Sequence, residues 1–281
     1  MKPENPVSTS FDAAAARKRC MGYRKRVLDI SQTVSALHAA GAFSCLEAVD
    51  MIYHGLMRPA RGKAGKDFHD IFIMSKGHGC MAQYVILESL GILPTEDLAK
   101  YCTPTGILGC HPDRGNPGIV ASTGSLGHGM GLASGMAYAE RILGSDRRVF
   151  AVLSDGELQE GSTWEAMMMA ANLKLDNLFA FVDLNDQASL ARMSEAHQAF
   201  YPLREKFEAF GWECAEANGH DAPALFRAAS ARRGGKPFVL VGKTIKGRGV
   251  SFMEGVPIWH YRSPNKQEYE QALRELKEIG S

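Results

Sequence analysis

Four short apolar segments constrain the fold of this chain more than any other feature of its sequence. They read IFIMS, RVFAVLS, LFAFVDL and PFVLVGKT, and each is followed by a polar or glycine-containing turn. Near-continuous apolar runs of this length are typical of strands that are buried on both faces of a parallel sheet. Because helix-like sequence separates most of them, the pattern predicts an α/β fold with a doubly wound parallel sheet flanked by helices.

The sequence between these segments predicts the helices. Apolar residues at three- and four-residue steps, such as Val27, Ile30 and Val34, predict one helix over residues 12–40, which Gly41 would end. The sequence after Trp259 predicts loops or peripheral elements, and without an internal repeat or a long linker residues 1–281 are predicted to form a single domain. The other predicted helices cover residues 81–90, 130–143, 163–174, 203–210 and 223–232.

The charge and hydropathy of the chain argue against several classes of partner. Its 32 basic and 31 acidic side chains nearly cancel and form no long like-sign block, so nothing indicates binding to nucleic acid or to a membrane surface. No apolar run approaches the roughly 20 residues that cross a bilayer, and the N-terminal sequence lacks the apolar centre of a secretion signal. We therefore predict a cytoplasmic protein.

Polar residues follow two of the predicted strands at the point where each strand ends. Asp155 and Gly156 come after RVFAVLS, and Asn185 comes after LFAFVDL. The separation, 185 − 155 = 30 residues, is about one strand-to-strand crossover, which places Asp155 beside Asn185 if the two strands are neighbours. A carboxylate and an amide oxygen are too few to form a metal cage, but they suit Mg²⁺ that also takes phosphate oxygens from a ligand. The sequence therefore predicts a magnesium and diphosphate site.

A glycine-rich sequence, STGSLGHGMG, leads into the helix predicted from residue 130. Its glycines, Gly124, Gly127 and Gly129, would let free N–H groups at the start of the helix face an anion. The same glycines would also allow the helix to pack closely against its neighbours. The loop by itself therefore leaves a phosphate site and a packing role as alternatives.

The segment SDGELQEGSTWEAMMMAANLKLDNLFAFVDLND resembles the thiamine diphosphate motif, in which one strand ends in Asp-Gly and the next ends in Asn. Nearly the whole chain is similar to transketolase, and in particular to the N-terminal subunit of split transketolases. The resemblance implies the diphosphate-binding domain of the thiamine diphosphate-binding fold. The motifs that carry it occur in the family's order and read SKGHG, GCHPDRGNPGIVASTGSLGHG, DGELQEG, WEA, KLDNL, FEAFGW and TIKGRGVSFMEG followed by WH.

The resemblance also implies roles for the residues that match these motifs. Mg²⁺ would be bound by Asp155, Asn185 and the backbone carbonyl of Gln187. The implied catalytic residues are His38, which helps proton transfer, His111, which contacts the ketose near its carbonyl, and His260, which touches substrate and diphosphate. The residues implied to bind the cofactor are His78, Gly124, Ser125, Leu126, Gly156, Glu160, Asn185 and His260. Of these, Glu160 is implied to lie at the subunit contact between paired active sites.

A transketolase of this kind would use thiamine diphosphate and Mg²⁺ to transfer a two-carbon ketol unit from a ketose or its phosphate to an aldose. The chain ends soon after His260, so the resemblance implies a separate C-terminal subunit that carries the pyrimidine-binding domain, in an α2β2 assembly. The methionine-rich sequence AMMMAAN is predicted to pack between the sheet and a partner subunit.

Alternatives remain open at this point. The Asp-Gly and Asn motif also occurs in the α-type subunit of 2-oxoacid dehydrogenases and in other thiamine-dependent lyases, and a non-catalytic cofactor-binding paralogue is a third interpretation. An ordinary nucleotide-binding module would need a dinucleotide fingerprint, which the sequence lacks. Departures from the family pattern at Ser154, His128 and Tyr261, and the lack of a glutamine three residues after the motif asparagine, leave the substrate undetermined.

Overall fold

The computed structural model describes residues 11–60, 67–188 and 191–280. A five-stranded parallel sheet forms its centre, with the strand order β1-β2-β3-β7-β6. Residues 1–10, on which the predicted lack of a secretion signal partly rests, lie outside the described range. The strands are β1 (Ile71–Met74), β2 (Val149–Ser154), β3 (Leu178–Leu184), β6 (Glu213–Asn218) and β7 (Phe238–Lys243), and β4 (Gln187–Ala188) and β5 (Ala191–Arg192) form a separate antiparallel pair.

The four predicted strands and the doubly wound fold are confirmed. Strands β1, β2, β3 and β7 contain the four apolar segments, and all but the terminal residues of β3 and β7 are buried. The sequence did not reveal β6, whose residues alternate between more and less buried positions and include Glu213 and Glu216. Because β6 lies at the edge of the sheet and pairs only with β7, it does not need the continuous apolar sequence of a central strand.

Helices cover both faces of the sheet. The predicted helices over residues 81–90, 130–143, 163–174, 203–210 and 223–232 are confirmed within a few residues at each end. Within the described ranges, no helix is long and apolar enough to cross a membrane. The helices are α1 (Ala13–Ser31), α2 (Ala39–Met51), α3 (Cys80–Ser89), α4 (Thr95–Ala99), α5 (Gly129–Ile142), α6 (Gly161–Asn172), α7 (Met193–Ala196), α8 (Leu203–Ala209), α9 (Ala222–Ser230) and α10 (Lys266–Gly280).

One prediction about the helices is wrong. The single helix over residues 12–40 is broken between α1 and α2, and Gly41 lies inside α2. The hydroxyls of Ser31 and Thr33 donate to the carbonyls of Leu28 and Ile30, which another helical turn would otherwise use. The chain after Trp259, which was predicted to form loops or peripheral elements, contains one such element, α10, which packs its apolar residues against α1.

The helices on the two faces of the sheet differ in how many of their apolar residues are exposed. Helices α1, α2, α3, α9 and α10 contribute to one large buried cluster, and α5, α6 and α8 contribute to a second cluster on the other face. Met167 of α6 is fully buried in this second cluster, but Met168 and Met169 are about half exposed, and Leu132 and Ile142 of α5 are also exposed. The predicted packing of the methionine-rich helix against the sheet is confirmed, and its packing against a partner subunit stays a prediction.

Candidate active site

Asp155 and Asn185 meet at the carboxyl edge of the sheet. The parallel register of β2 and β3 pairs Ser154 with Asp183, so the residues after both strands emerge at the same edge. The Asp155 carboxylate accepts hydrogen bonds from the backbone N–H groups of Gly156, Asn185 and Asp186, at 2.9, 3.0 and 2.5 Å. The structure thus brings the two residues together, as the crossover length predicted.

Asp155 is a buried carboxylate without a counter-charge. It has no exposed surface, and no lysine, arginine or histidine of the described residues forms an ion pair with it. Burial and the nearby charge of Asp183 raise its pKa to about 7, although the backbone N–H groups oppose the rise. A buried carboxylate in this state has a strong electrostatic preference for a cation.

Gln187 lies beside this pair. Asp186 has a positive φ of 63°, and this turn directs the backbone N–H of Gln187 to the Asn185 Oδ1 atom, 3.2 Å away. A Cβ atom at Gly156 would lie 3.7 Å from the carbonyl oxygen of Gln187, so this oxygen faces the Asp155 turn. Within the described ranges, no three His, Cys, Asp or Glu side chains could hold a metal ion together. A metal here would therefore need ligand oxygens in addition to those of the protein.

Four histidines from four separate segments converge near this edge. The ring centroid of His38 lies 5.6 Å from that of His78, 6.1 Å from that of His111 and 5.3 Å from that of His260. Burial lowers the pKa of His38 to about 3 and that of His260 to about 4, and it also lowers the pKa of His78. His38 and His260 are therefore neutral near pH 7. The Nδ1 atom of His38 has no partner among the described residues, whereas that of His260 accepts from the Lys246 Nζ atom.

The glycine-rich loop packs closely against the histidines. Gly124 has a φ of 145°, and a Cβ atom there would lie 2.9 Å from the His111 ring. A Cβ at Gly77, next to His78, would lie 2.7 Å from the backbone nitrogen of Gly124. These contacts support the packing alternative for the glycines, and they also hold the loop against the segments that carry two of the histidines.

The remaining predicted residues lie around this loop. Leu126 is half-buried, whereas Ser125 and Glu160 are exposed, and Glu160 is at the start of α6. A Cβ at Gly127 would lie 2.6 Å from that of Glu160, so the loop and α6 are in contact. Ser125 and Glu160 are therefore free to meet a ligand or a second protein chain.

Lys246 was not predicted from the sequence, although it lies in the motif TIKGRGVSFMEG. Only 4% of Lys246 is exposed, and its Nζ lies 2.7 Å from the Nδ1 atom of His260. Burial and the charge of Lys76 lower its pKa to about 8. In the part of the chain that the structure describes, no carboxylate forms an ion pair with Lys246. A buried lysine beside a neutral histidine is suited to an anionic ligand.

The buried pair formed by Lys76 and Asp183 was not predicted either. The Lys76 Nζ lies 2.5 Å from the Asp183 Oδ2 atom and also donates to the carbonyl of Gly41. The Asp183 carboxylate accepts further hydrogen bonds from Ser44, Thr244 and Asn185. The sequence offered one signal for this pair, a charged residue inside each of two motifs: Lys76 in SKGHG and Asp183 in FVDLND.

Tyr261 points toward the histidines rather than away from them. Its ring centroid lies 4.4 Å from that of His38, and half of the residue is exposed. The aromatic ring therefore covers His38 and narrows the opening above it. Tyr261, which is the departure from the family pattern after His260, is therefore placed where it can affect access to the site.

Comparison with known proteins identifies the family. A family model described as the transketolase thiamine diphosphate binding domain matches residues 17–276. The chain is 37% identical over 257 residues to an apulose-4-phosphate transketolase subunit of Phocaeicola vulgatus, with 91% of each chain covered. It is 36% identical over 276 residues to the protein of the same name from Actinobacillus succinogenes, covering 98% of this chain and 99% of the other.

Single-chain relatives are longer. The chain is 33% identical over 261 residues to human transketolase, covering 90% of this chain but 41% of the human one. The solved structure of transketolase from Leishmania mexicana superposes with a TM-score of 0.86 and 25% identity over 93% of this chain and 41% of that chain. The chain therefore spans about two fifths of these longer relatives.

Proposed function

The chain belongs to the transketolase family as a thiamine diphosphate binding domain, and from this premise we propose that it is the cofactor-binding subunit of a two-subunit transketolase. Together with a C-terminal partner subunit, it transfers a two-carbon ketol unit from a ketose phosphate to an aldose. Residues 1–281 act as one diphosphate-binding domain. The observation that carries the proposal is the position of an unpaired buried carboxylate, Asp155, beside a cluster of neutral histidines.

The proposal assigns Mg²⁺ to Asp155, Asn185 and the backbone carbonyl of Gln187. The donor set fits this ion, because it offers a carboxylate, an amide and a carbonyl, all hard oxygen ligands. The lack of a counter-charge on Asp155 supports the assignment, as does the approach of the Gln187 carbonyl to Gly156. Phosphate oxygens of the cofactor complete the coordination.

The diphosphate itself is assigned to His78, Lys246 and the backbone at Gly156. Lys246 supplies a positive charge next to His260, and burial lowers the pKa of His78, whose ring would donate an N–H to the diphosphate. Gly124, Ser125 and Leu126 lie beside the cofactor, and Glu160 meets the second active site. When bound, thiamine diphosphate supplies the electron sink for breaking and forming the carbon–carbon bond.

The residues His38, His111 and His260 are assigned to the substrate. The low pKa of His38 and His260 keeps both rings neutral near pH 7. The unpartnered Nδ1 atom of His38 accepts a proton from a substrate hydroxyl and returns it, whereas His260, whose Nδ1 atom faces Lys246, offers its Nε2–H as a donor. His111 orients the ketose near its carbonyl, where it is held by the packing against Gly124. Tyr261 limits the space over His38.

The partner is proposed on three observations. Relatives that match nearly the full length of this chain are themselves named as transketolase subunits, and the chain spans about two fifths of single-chain transketolases. The outer side of α5 and α6 also exposes apolar residues, including Ile142 and Met169. A partner that contributes the aminopyrimidine contacts, with two copies of each chain, accounts for all three.

The chain should be purified alone and together with its C-terminal partner, and ketol transfer from a ketose phosphate should be measured with Mg²⁺ and thiamine diphosphate present. We expect activity only in the complex. Full activity of the isolated chain would contradict the two-subunit proposal. Oxidative decarboxylation without ketol transfer by the complex would identify a 2-oxoacid dehydrogenase subunit instead, and binding without turnover would identify a non-catalytic paralogue.

A further inference from the structure

The side chain of Gln187 has a feature that the proposed role of its backbone carbonyl does not explain. Gln187 is 94% buried, since 6% of its surface is exposed, and its Oε1 atom has no hydrogen-bond partner among the described residues. A buried polar atom without a partner costs about 1–3 kcal/mol. In a folded protein such an atom needs a donor from outside the chain, either a water molecule or a bound group.

The backbone around Gln187 is held firmly. The carboxylate of the preceding Asp186 accepts hydrogen bonds from the backbone N–H and hydroxyl of Ser194 and from the hydroxyl of Tyr201. The backbone N–H of Asp186 donates to Asp155, and that of Gln187 donates to the side chain of Asn185. The unpartnered amide is therefore kept in place by contacts that do not involve the amide itself.

Gln187 lines a small cavity together with the proposed magnesium ligand Asn185 and with Lys246. This cavity has a volume of about 170 Å³, and Asn185, Gln187, Thr244 and Lys246 are among the residues that line it. The Oε1 atom is the acceptor of this amide, and it is the atom that needs a donor.

We propose that the Oε1 atom of Gln187 accepts a hydrogen bond from a water molecule bound to Mg²⁺. This inference rests on the proposed function, and it extends the role of Gln187 from its backbone carbonyl to its side chain. Mg²⁺ usually keeps some of its water ligands in proteins. The lone pair of such a water is directed at the metal, so the water acts as a donor and requires an acceptor. A phosphate oxygen cannot satisfy Oε1, because it is an acceptor as well.

The test replaces the side chain and leaves the backbone carbonyl in place. In the complex with the partner subunit, Mg²⁺ is titrated by calorimetry at saturating thiamine diphosphate, for the unchanged protein, Gln187→Leu and Gln187→Met. Loss of an outer contact to a metal site typically weakens metal binding by about 10- to 100-fold. We expect at least about tenfold weaker Mg²⁺ binding in both variants, with thermal stability of the metal-free complex unchanged or higher.

Gln83→Leu is the matched control. Gln83 is also buried, its Oε1 atom also lacks a partner among the described residues, and it lies on α3, where its Nε2 donates to Tyr53. Its replacement should leave the Mg²⁺ affinity unchanged.

The outcomes separate the inference from the proposed function. If the unchanged complex binds Mg²⁺ and both Gln187 variants bind it equally well, the inference is wrong and the proposed function stands. If both variants lose stability without metal and keep their affinity, Gln187 has a structural role only, which also overturns the inference. If the unchanged complex fails to bind Mg²⁺ with thiamine diphosphate, both proposals fail.

Discussion

Two buried aspartates at the ends of neighbouring strands have opposite environments. Asp183, the second-last residue of β3, has Lys76 as its counter-charge. It also accepts hydrogen bonds from Ser44, Thr244 and Asn185. Burial raises the pKa of Asp183, but the charge of Lys76 and these hydrogen bonds outweigh it, so its pKa is lowered. Asp155, just after β2, accepts from backbone N–H groups but forms no ion pair with any described residue, and its pKa is raised to about 7.

This difference indicates that the Asp183 carboxylate stabilises the fold and that the Asp155 carboxylate binds a ligand. A buried charge is stable only when it is paired and hydrogen-bonded, a condition that Asp183 meets within the chain. Asp155 is paired only when a cation binds. In the metal-free chain its unpaired buried charge therefore lowers the stability of the fold. The two lysines show the same contrast, because Lys76 is paired with Asp183 whereas Lys246 contacts the neutral His260.

The largest effect is expected from Asp183→Asn. This change leaves Lys76 buried without a counter-charge, and breaking a buried ion pair costs about 3–5 kcal/mol of unfolding free energy. Because the folded pKa of Asp183 is lowered, its contribution is present above the unfolded value near 4 and is lost only as the pH falls through the folded value. Denaturant unfolding at pH 7 measures the loss. A loss below about 1 kcal/mol would show that the pair does not stabilise the fold.

Asp155→Asn should lower the affinity for Mg²⁺ without lowering the stability of the fold, the opposite of what is expected for Asp183→Asn. It removes the only charged protein ligand proposed for Mg²⁺, so Mg²⁺ affinity in the presence of thiamine diphosphate should fall by at least about 100-fold. The stability of the metal-free chain at pH 8 should stay the same or rise, because an unpaired charge has been removed. Calorimetric titration and denaturant unfolding measure the two quantities. Unchanged Mg²⁺ affinity would remove the metal assignment, and a large loss of stability would remove the contrast with Asp183.

A smaller effect is expected from Lys246→Met. Loss of one charge-assisted hydrogen bond to the diphosphate should weaken thiamine diphosphate binding by about tenfold at pH 7. The pKa of Lys246 in the free chain is about 8, so affinity of the unchanged protein should decline as the pH rises through 8, while that of the variant should not. Lys76→Met serves as the comparison, since it should chiefly lower stability. Parallel pH profiles for Lys246→Met and the unchanged protein would contradict the assignment.

The smallest effect is expected from Ser44→Ala. The Ser44 hydroxyl is one of several donors to Asp183, at 2.6 Å, and Lys76 remains in place when it is removed. The free energy of unfolding should fall by about 1 kcal/mol. Denaturant unfolding of Ser44→Ala and Asp183→Asn under the same conditions gives the ratio of their losses in unfolding free energy. If Ser44→Ala were as destabilising as Asp183→Asn, the hydrogen bonds rather than the ion pair would stabilise this carboxylate.

Much of the fold and part of the site were open to prediction from local patterns. The central strands are buried on both faces, so their apolar segments stand out, and the crossover length alone brought Asp155 beside Asn185. The edge strand β6 has one neighbour and a mixed sequence, which gave no comparable signal. The interruption between α1 and α2 depends on the hydroxyls of Ser31 and Thr33, whose bonds to the backbone the apolar periodicity does not record.

The sequence by itself determined the strand pattern, the crossover between the two acidic turns and the family motifs, because each depends on residues that are close together in the chain. Only the tertiary structure decided which charges are paired, since the partner of Asp183 is Lys76, 107 residues away. It also decided that Tyr261 covers His38 and that Lys246 reaches His260. The charge state of a buried group depends on neighbours from distant segments, and local sequence does not specify them.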